Sequence, residues 1–294
     1  MSIGLLTAEK LCERGYRVLL TRRSQRGAEE AASQIRSKIA GASAAGLALD
    51  LGPLASVRAL GRELGAETDS LDVLVGNAGV MDQSPQVKRS AEGLEMMFAA
   101  NHLGHFLLTI LLLPRLLRSA PSRVVIVSSR WHAPGSSGPP VDFDFENLDG
   151  AKRYDPTTFY KNSKLANLWF AFELARRLAG TGVTVNAVCP GFVPSTLAEH
   201  QHGVERLVTK YLLPMLPSAH SPADAADNTA FVATDPKYAT RSGAFVGERT
   251  EIEPSALARD TASAARLWSV SCQLAGIADS DLPDPLREGA RPRP

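Results

Sequence analysis

Tyr160-Lys161-Asn162-Ser163-Lys164 places a phenol and an ammonium four residues apart at the start of a helical segment. That spacing lays both side chains on one helix face, about 6 Å apart along the axis. A free tyrosine titrates near ~10. A neighbouring cation favours its phenolate and makes the phenol a usable proton donor or acceptor near neutrality. An ordinary exposed Tyr/Lys pair has the same spacing, so the pair gains meaning from its company. Arg123-Val124-Val125-Ile126-Val127 is a β-branched run of the kind that forms a strand buried on both faces, and it delivers Ser128 and Ser129 at its carboxyl end. Ligands in open α/β sheets bind at that edge. Leu71-Asp72-Val73-Leu74-Val75 is a second such run, leading into Gly76-Asn77-Ala78-Gly79, small residues that let a ligand approach the backbone. Asn101 interrupts an apolar helix, either as a functional amide or as a satisfied packing group.

The elements that must position these groups alternate along the chain. Helices are predicted over 7–14, 27–39, 54–64, around Asn101, from Tyr160 onward, and over 204–213, 223–234 and 262–274. Strands are predicted over 17–20, 45–49, 71–75, 124–127, 183–188 and 244–246. Such alternation argues for a parallel sheet covered on both faces. A loop over 133–155 carries Asp142, Asp144, Glu146 and Asp149, without the glycine turn or closing carboxylate of a calcium loop. His102, His105 and His132 lack ligand spacing and read as core or surface residues. The apolar stretch from Val204 to Pro217 is expected to cover the substrate, or to pack on the core or a dimer interface.

The balance of 32 basic and 31 acidic residues, mixed along the chain, argues against a nucleic-acid surface. Three separated cysteines without metal or disulfide spacing suit a reducing compartment, and a cytoplasmic location is expected. No apolar run reaches the ~20 residues of a membrane span. The longest, from Phe106 to Leu117, is broken by Thr109, Pro114 and Arg115.

In this order, the Asn77-Ala78-Gly79 motif, Asn101, Ser129 and Tyr160 with Lys164 resemble the short-chain dehydrogenase/reductase family. Asn101-His102-Leu103-Gly104-His105-Phe106, Ser163-Lys164-Leu165-Ala166-Asn167 and Leu267-Trp268-Ser269-Val270-Ser271 look like its retinol dehydrogenase-like branch. Pro190-Gly191-Phe192-Val193-Pro194-Ser195-Thr196 is more loosely similar to light-dependent protochlorophyllide reductases. The resemblance implies an α/β fold, a Rossmann-type doubly wound parallel sheet in three layers, as one domain over 1–280 with a disordered tail over 281–294. The family's first strand and most of its TGxxxGIG turn are not found. Only Ile3 and Gly4 match the end of that motif, and the strand would lie between those at Arg17 and Leu71.

The implied activity is NADP(H)-dependent interconversion of a carbonyl and an alcohol on a small lipophilic substrate. Tyr160 would exchange the proton and Lys164 would lower its pKa and bond the nicotinamide ribose. Ser129 would hold the carbonyl oxygen, and Asn101 would support a relay water. Arg22 and Arg23 follow the strand predicted over 17–20, with no acidic residue there to accept ribose hydroxyls, and suit a 2′-phosphate. Asp50 and Leu51 match the adenine-contacting pair, Asn77, Ala78 and Gly79 flank the adenosine ribose, and Pro190, Gly191, Val193 and Thr196, or Ser195 by strict register, approach the carboxamide. A homodimer is compatible with this reading. The alternative is a truncated, non-catalytic form with impaired cofactor binding.

Overall fold

The computed structural model describes residues 2–136, 138–193 and 219–287. Helix α1 (Ile3–Glu13) leads into β1 (Val18–Arg22), α2 (Gln25–Lys38), β2 (Ala44–Ala48), α3 (Leu54–Glu67) and β3 (Val73–Gly76). The long helix α4 (Met96–Arg118) is followed by β4 (Ser122–Val127), α5 (Pro156–Arg177), β5 (Val183–Cys189), α6 (Pro222–Thr234), β6 (Phe245–Gly247), β7 (Thr250–Glu251) and α7 (Thr261–Leu274). The predicted strands all form, with boundaries shifted by a few residues. The predicted helix over 204–213 lies outside the described residues, as does the substrate cover expected there.

Among the described residues the strands make two sheets, β1-β2 and β3-β4-β5-β6-β7, parallel throughout except for the terminal β6-β7 pair. The β-branched runs of β4 and β5 are buried almost completely because helices cover both their faces. On one side Leu11 of α1 and Val232 of α6 meet Val125 and Val188, and α1 also packs on Ala32 and Ile35 of α2. On the other, α3, α4, α5 and α7 bury Leu60, Phe106, Trp169 and Trp268 in one apolar cluster.

β1 and β3 are not paired with each other. Their residues Val18, Leu19, Leu20, Val73, Leu74 and Val75 are only half-buried and line a cavity of about 1900 Å³ that opens between them.

Two expectations change. Helix α4 spans 23 residues and holds an 18-residue window apolar enough to cross a membrane, because it starts upstream of Phe106 at Met96 and is not broken at Thr109, Pro114 or Arg115; 89% of that window is buried in the fold. The chain also stays packed past residue 280. Leu282 and Leu286 are buried, and Arg177 Nη1 donates to the Leu286 carbonyl at 3.0 Å. These two apolar anchors are easily lost in a Pro- and Arg-rich composition. Residues 288–294 lie outside the described residues.

Candidate active site

The carboxyl end of β4 and the start of α5 are stitched together. Ser128 Oγ donates to the Lys164 carbonyl at 2.7 Å, and Asn167 Nδ2 donates to the Val127 carbonyl at 3.1 Å. Helix α5 starts at Pro156 because the Asp155 carboxylate accepts the Thr158 N–H at 2.7 Å and proline suits the first helical position. Tyr160 and Lys164 therefore face the same cavity as Ser129. Ser129 Oγ accepts the Trp131 N–H at 3.2 Å, which leaves its own O–H able to donate outward.

The electrostatics depart from expectation. Lys164, 3% exposed, sits with Nζ 5.6 Å from the centroid of the Tyr160 ring and 3.5 Å from the Val127 carbonyl. Burial pushes the Tyr160 phenol up to about 12 and pulls the Lys164 ammonium down to about 8. The lysine does not lower the phenol here. It lies over the ring, and burial disfavours the charged form of both groups.

Asn101 also differs. Its Oδ1 accepts the Val80 N–H at 2.7 Å, and its Nδ2 donates to the Val80 carbonyl at 2.9 Å and to Ser163 Oγ at 3.0 Å. Ser163 in turn donates to the Tyr160 carbonyl at 2.7 Å. Both amide hydrogens are thus committed, and the side chain clamps the segment after Gly79 to the first turns of α5. It does not present a free amide to a relay water.

Asn101 occupies a π-helical turn, Ala99–Leu103, within α4. His105 Nδ1 lies 3.0 Å from the Asn101 carbonyl, and His102 Nε2 lies 2.8 Å from Ser271 Oγ of α7. Burial holds both imidazoles neutral, His102 at about 3 and His105 at about 4. The expectation of core histidines stands, but their ties to the Asn101 turn could not be read from spacing. The only signal was polar residues inside an apolar helix.

The cavity runs from the start of α1 to Tyr160. Ile3, Gly4, Arg22, Leu51, Asn77, Ala78, Gly79, Pro190, Gly191 and Val193 line it with Ser129, Tyr160 and Lys164. Arg23 and Asp50 do not. Arg23 is exposed, and the Asp50 carboxylate accepts the Gly52 N–H at 3.0 Å in a tight turn. Thr196 and Ser195 lie outside the described residues.

The surfaces present fit a nicotinamide dinucleotide. Gly4 and Gly79 border the cavity, and each is packed so closely, 2.7 Å from Asn77 Nδ2 and 3.2 Å from Lys164 Nζ to a Cβ built there, that a side chain would displace groups lining it. The N-terminus of α1, an 11-residue helix capped by Ser2, opens into it beside Arg22 and suits phosphate.

Residues 1–138 match the short chain dehydrogenase family. The chain is 39% identical over 290 residues to human retinol dehydrogenase 14, covering 94% of this chain and 83% of that protein. It is 40% identical over 280 residues to mouse retinol dehydrogenase 12, with the same coverage. Among solved structures, an uncharacterised protein from Mycobacterium paratuberculosis superposes with a TM-score of 0.71 at 32% identity, covering 94% of this chain and 90% of that one. The NADP complex of RhlG from Pseudomonas aeruginosa superposes with a TM-score of 0.66 at 24% identity, over 84% and 90%, a likeness of fold. These relatives correct the expected cytoplasmic location. Retinol dehydrogenases 11 to 14 are membrane-associated, and nothing in the cysteine pattern could report that. With its Tyr160/Lys164 pair, its parallel sheet and this degree of identity, the chain belongs to the short-chain dehydrogenase/reductase family, in its retinol dehydrogenase-like branch, as an oxidoreductase of carbonyls and alcohols.

Proposed function

We propose that the chain is an NADP(H)-dependent carbonyl/alcohol oxidoreductase acting on a lipophilic, retinoid-like substrate, with Tyr160 exchanging the proton. The observation that carries this is the convergence of Ser129, Tyr160 and Lys164 on one cavity, with Ser129 Oγ accepting the Trp131 N–H and so keeping its own O–H for a ligand.

With its pKa raised, Tyr160 is protonated at neutral pH and suited to donate to a substrate oxygen during reduction. Ser129 O–H donates to the same oxygen and aligns it. Lys164, titrating near 8, is largely charged at pH 7 and stabilises negative charge that develops on the phenol oxygen in the transition state. Asn101, through Val80 and Ser163, holds the Gly79 segment and the Tyr160 turn in register. Arg22 and the α1 N-terminus would hold the phosphates, and Asn77, Ala78 and Gly79 the adenosine ribose. When bound, the nicotinamide supplies or accepts the hydride.

Tyr160→Phe is expected to lower kcat roughly a hundred- to ten-thousand-fold while leaving NADPH affinity within a factor of a few. Retention of most of the parental turnover would remove Tyr160 from the chemistry.

A second reading, a fold with impaired cofactor binding, draws support from the unpaired β1 and β3 edges. Thermal melts with and without NADPH separate the two, since a ligand that binds only the folded chain must raise the midpoint. Self-association as a homodimer belongs to the first reading and is measured by sedimentation equilibrium.

A further inference from the structure

We infer that Trp131 is a specificity-determining residue that favours substrates whose carbonyl or carbinol carbon is conjugated to a flat π system, over saturated chains of equal length. This rests on the active-site reading above and names the substrate class of that site. The indole ring stands edge-on to the catalytic phenol, with ring centroids 6.1 Å apart and planes at 84°. It is half-exposed and lines the cavity beside Ser129 and Tyr160, whereas the other two tryptophans, Trp169 and Trp268, are buried in the core.

Its backbone is held on two sides and its ring by Tyr160 and Lys161. The Trp131 N–H donates to Ser129 Oγ at 3.2 Å, and its carbonyl accepts Ser136 Oγ at 3.2 Å. Lys161, fully buried, places Nζ 5.9 Å from the indole centroid and is itself anchored on the Pro139 carbonyl at 2.6 Å. A ring so held loses little freedom on contact with a ligand. Because the indole stands against the Tyr160 ring and lines the cavity with Ser129, it is placed to meet the substrate atoms next to the oxygen that Tyr160 and Ser129 would hold.

A conjugated or aryl neighbour can stack on or abut the indole and gains a ring–ring interaction beyond the area it buries. A saturated chain gains only the area term. That difference corresponds to roughly a two- to twelve-fold preference.

The test compares wild type, Trp131→Ala and Trp131→Phe with NADPH on a ten-carbon aldehyde carrying two conjugated double bonds and on its saturated counterpart. Trp131→Ala is expected to raise KM for the dienal several-fold more than for the saturated aldehyde, with kcat changed little, and Trp131→Phe to restore most of the loss. Equal changes on both substrates would overturn the inference while leaving the oxidoreductase reading intact. If no chain turns over either aldehyde, the oxidoreductase reading falls. Equilibrium dialysis of the dienal alcohol and its saturated counterpart against the NADP-loaded chains still decides the inference, since equal binding ratios for wild type and Trp131→Ala sink it.

Discussion

β4 and β1 both carry an apolar run, β-branched in β4 and leucine-rich in β1, yet meet different fates. Val124, Val125 and Ile126 are at most 1% exposed, while Val18, Leu19 and Leu20 remain half-buried. The difference lies in their neighbours. β4 is paired on both edges, and β1 on one, with its other edge facing the cavity. The groups proposed for proton transfer stand on the fully paired strand and its helix, whereas Ile3, Gly4, Arg22 and Asn77 to Gly79, proposed to hold the cofactor, stand along the open side. The proposed chemistry and most of the proposed cofactor contacts thus fall on regions of unequal packing.

The largest expected effect breaks the well-packed side with acid. An imidazole ordinarily titrates near ~6.5, and His102 and His105 are held at about 3 and about 4 in the folded chain. The unfolded chain takes up protons first as pH falls. The stability these residues give is thus whole above pH ~6.5 and lost progressively toward about 3, on the order of 3 kcal/mol or more for each ring. Glu95, whose carboxyl burial raises to about 7, takes up its proton in the folded chain first and offsets part of this loss. Urea midpoints should still drop between pH 7 and pH 4.5, but by less than the two rings alone would give. A midpoint indifferent to pH over that range would refute the buried neutral assignment.

A matched pair of truncations sharpens the contrast at smaller scale. Val125→Ala is expected to cost about 2–3 kcal/mol, and Val18→Ala under about 1 kcal/mol, because half-exposed methyls leave no closed void. Similar losses by chemical denaturation would mean that the β1 side is as tightly built as the other. Smaller again is the effect of charge on the open side: Arg22→Glu should narrow an NADPH-over-NADH preference by about tenfold, and Arg23→Glu should change it less, as read by fluorescence titration. Equal effects of the two reversals would contradict the assignment of Arg22 alone to the cavity wall.

Much of the fold was legible because buried parallel strands are written as uninterrupted β-branched runs, and α5 announces itself with Asp155 and Pro156. Tyr160, Lys164 and Ser129 were legible as a set because helix spacing and strand ends dictate where such side chains point. Other features were not. An amide inside an apolar helix looks the same in sequence whether it meets a water or, like Asn101, the backbone of Val80. The direction of the Tyr160 shift depends on how dry its surroundings are, and spacing carries no measure of that. Arg22 and Arg23 differ only in which one ends on the cavity side of β1. Trp131, one aromatic residue after a strand, had no local mark of exposure.

The π-helical turn over Ala99–Leu103 makes chain length itself a constraint. Such a turn is an α-helix with one residue too many, and each residue turns the helix by about 100°. The two ends of α4 are therefore keyed to different partners by a single-residue offset, Phe98 against Phe143 before the turn and Phe106 against Trp268 after it. Removing any one residue there would give a more regular helix but would rotate one end out of its seat. Insertions and deletions that the 133–155 loop could absorb have no such freedom between Met96 and Arg118, and the reading frame of packing is kept to the residue.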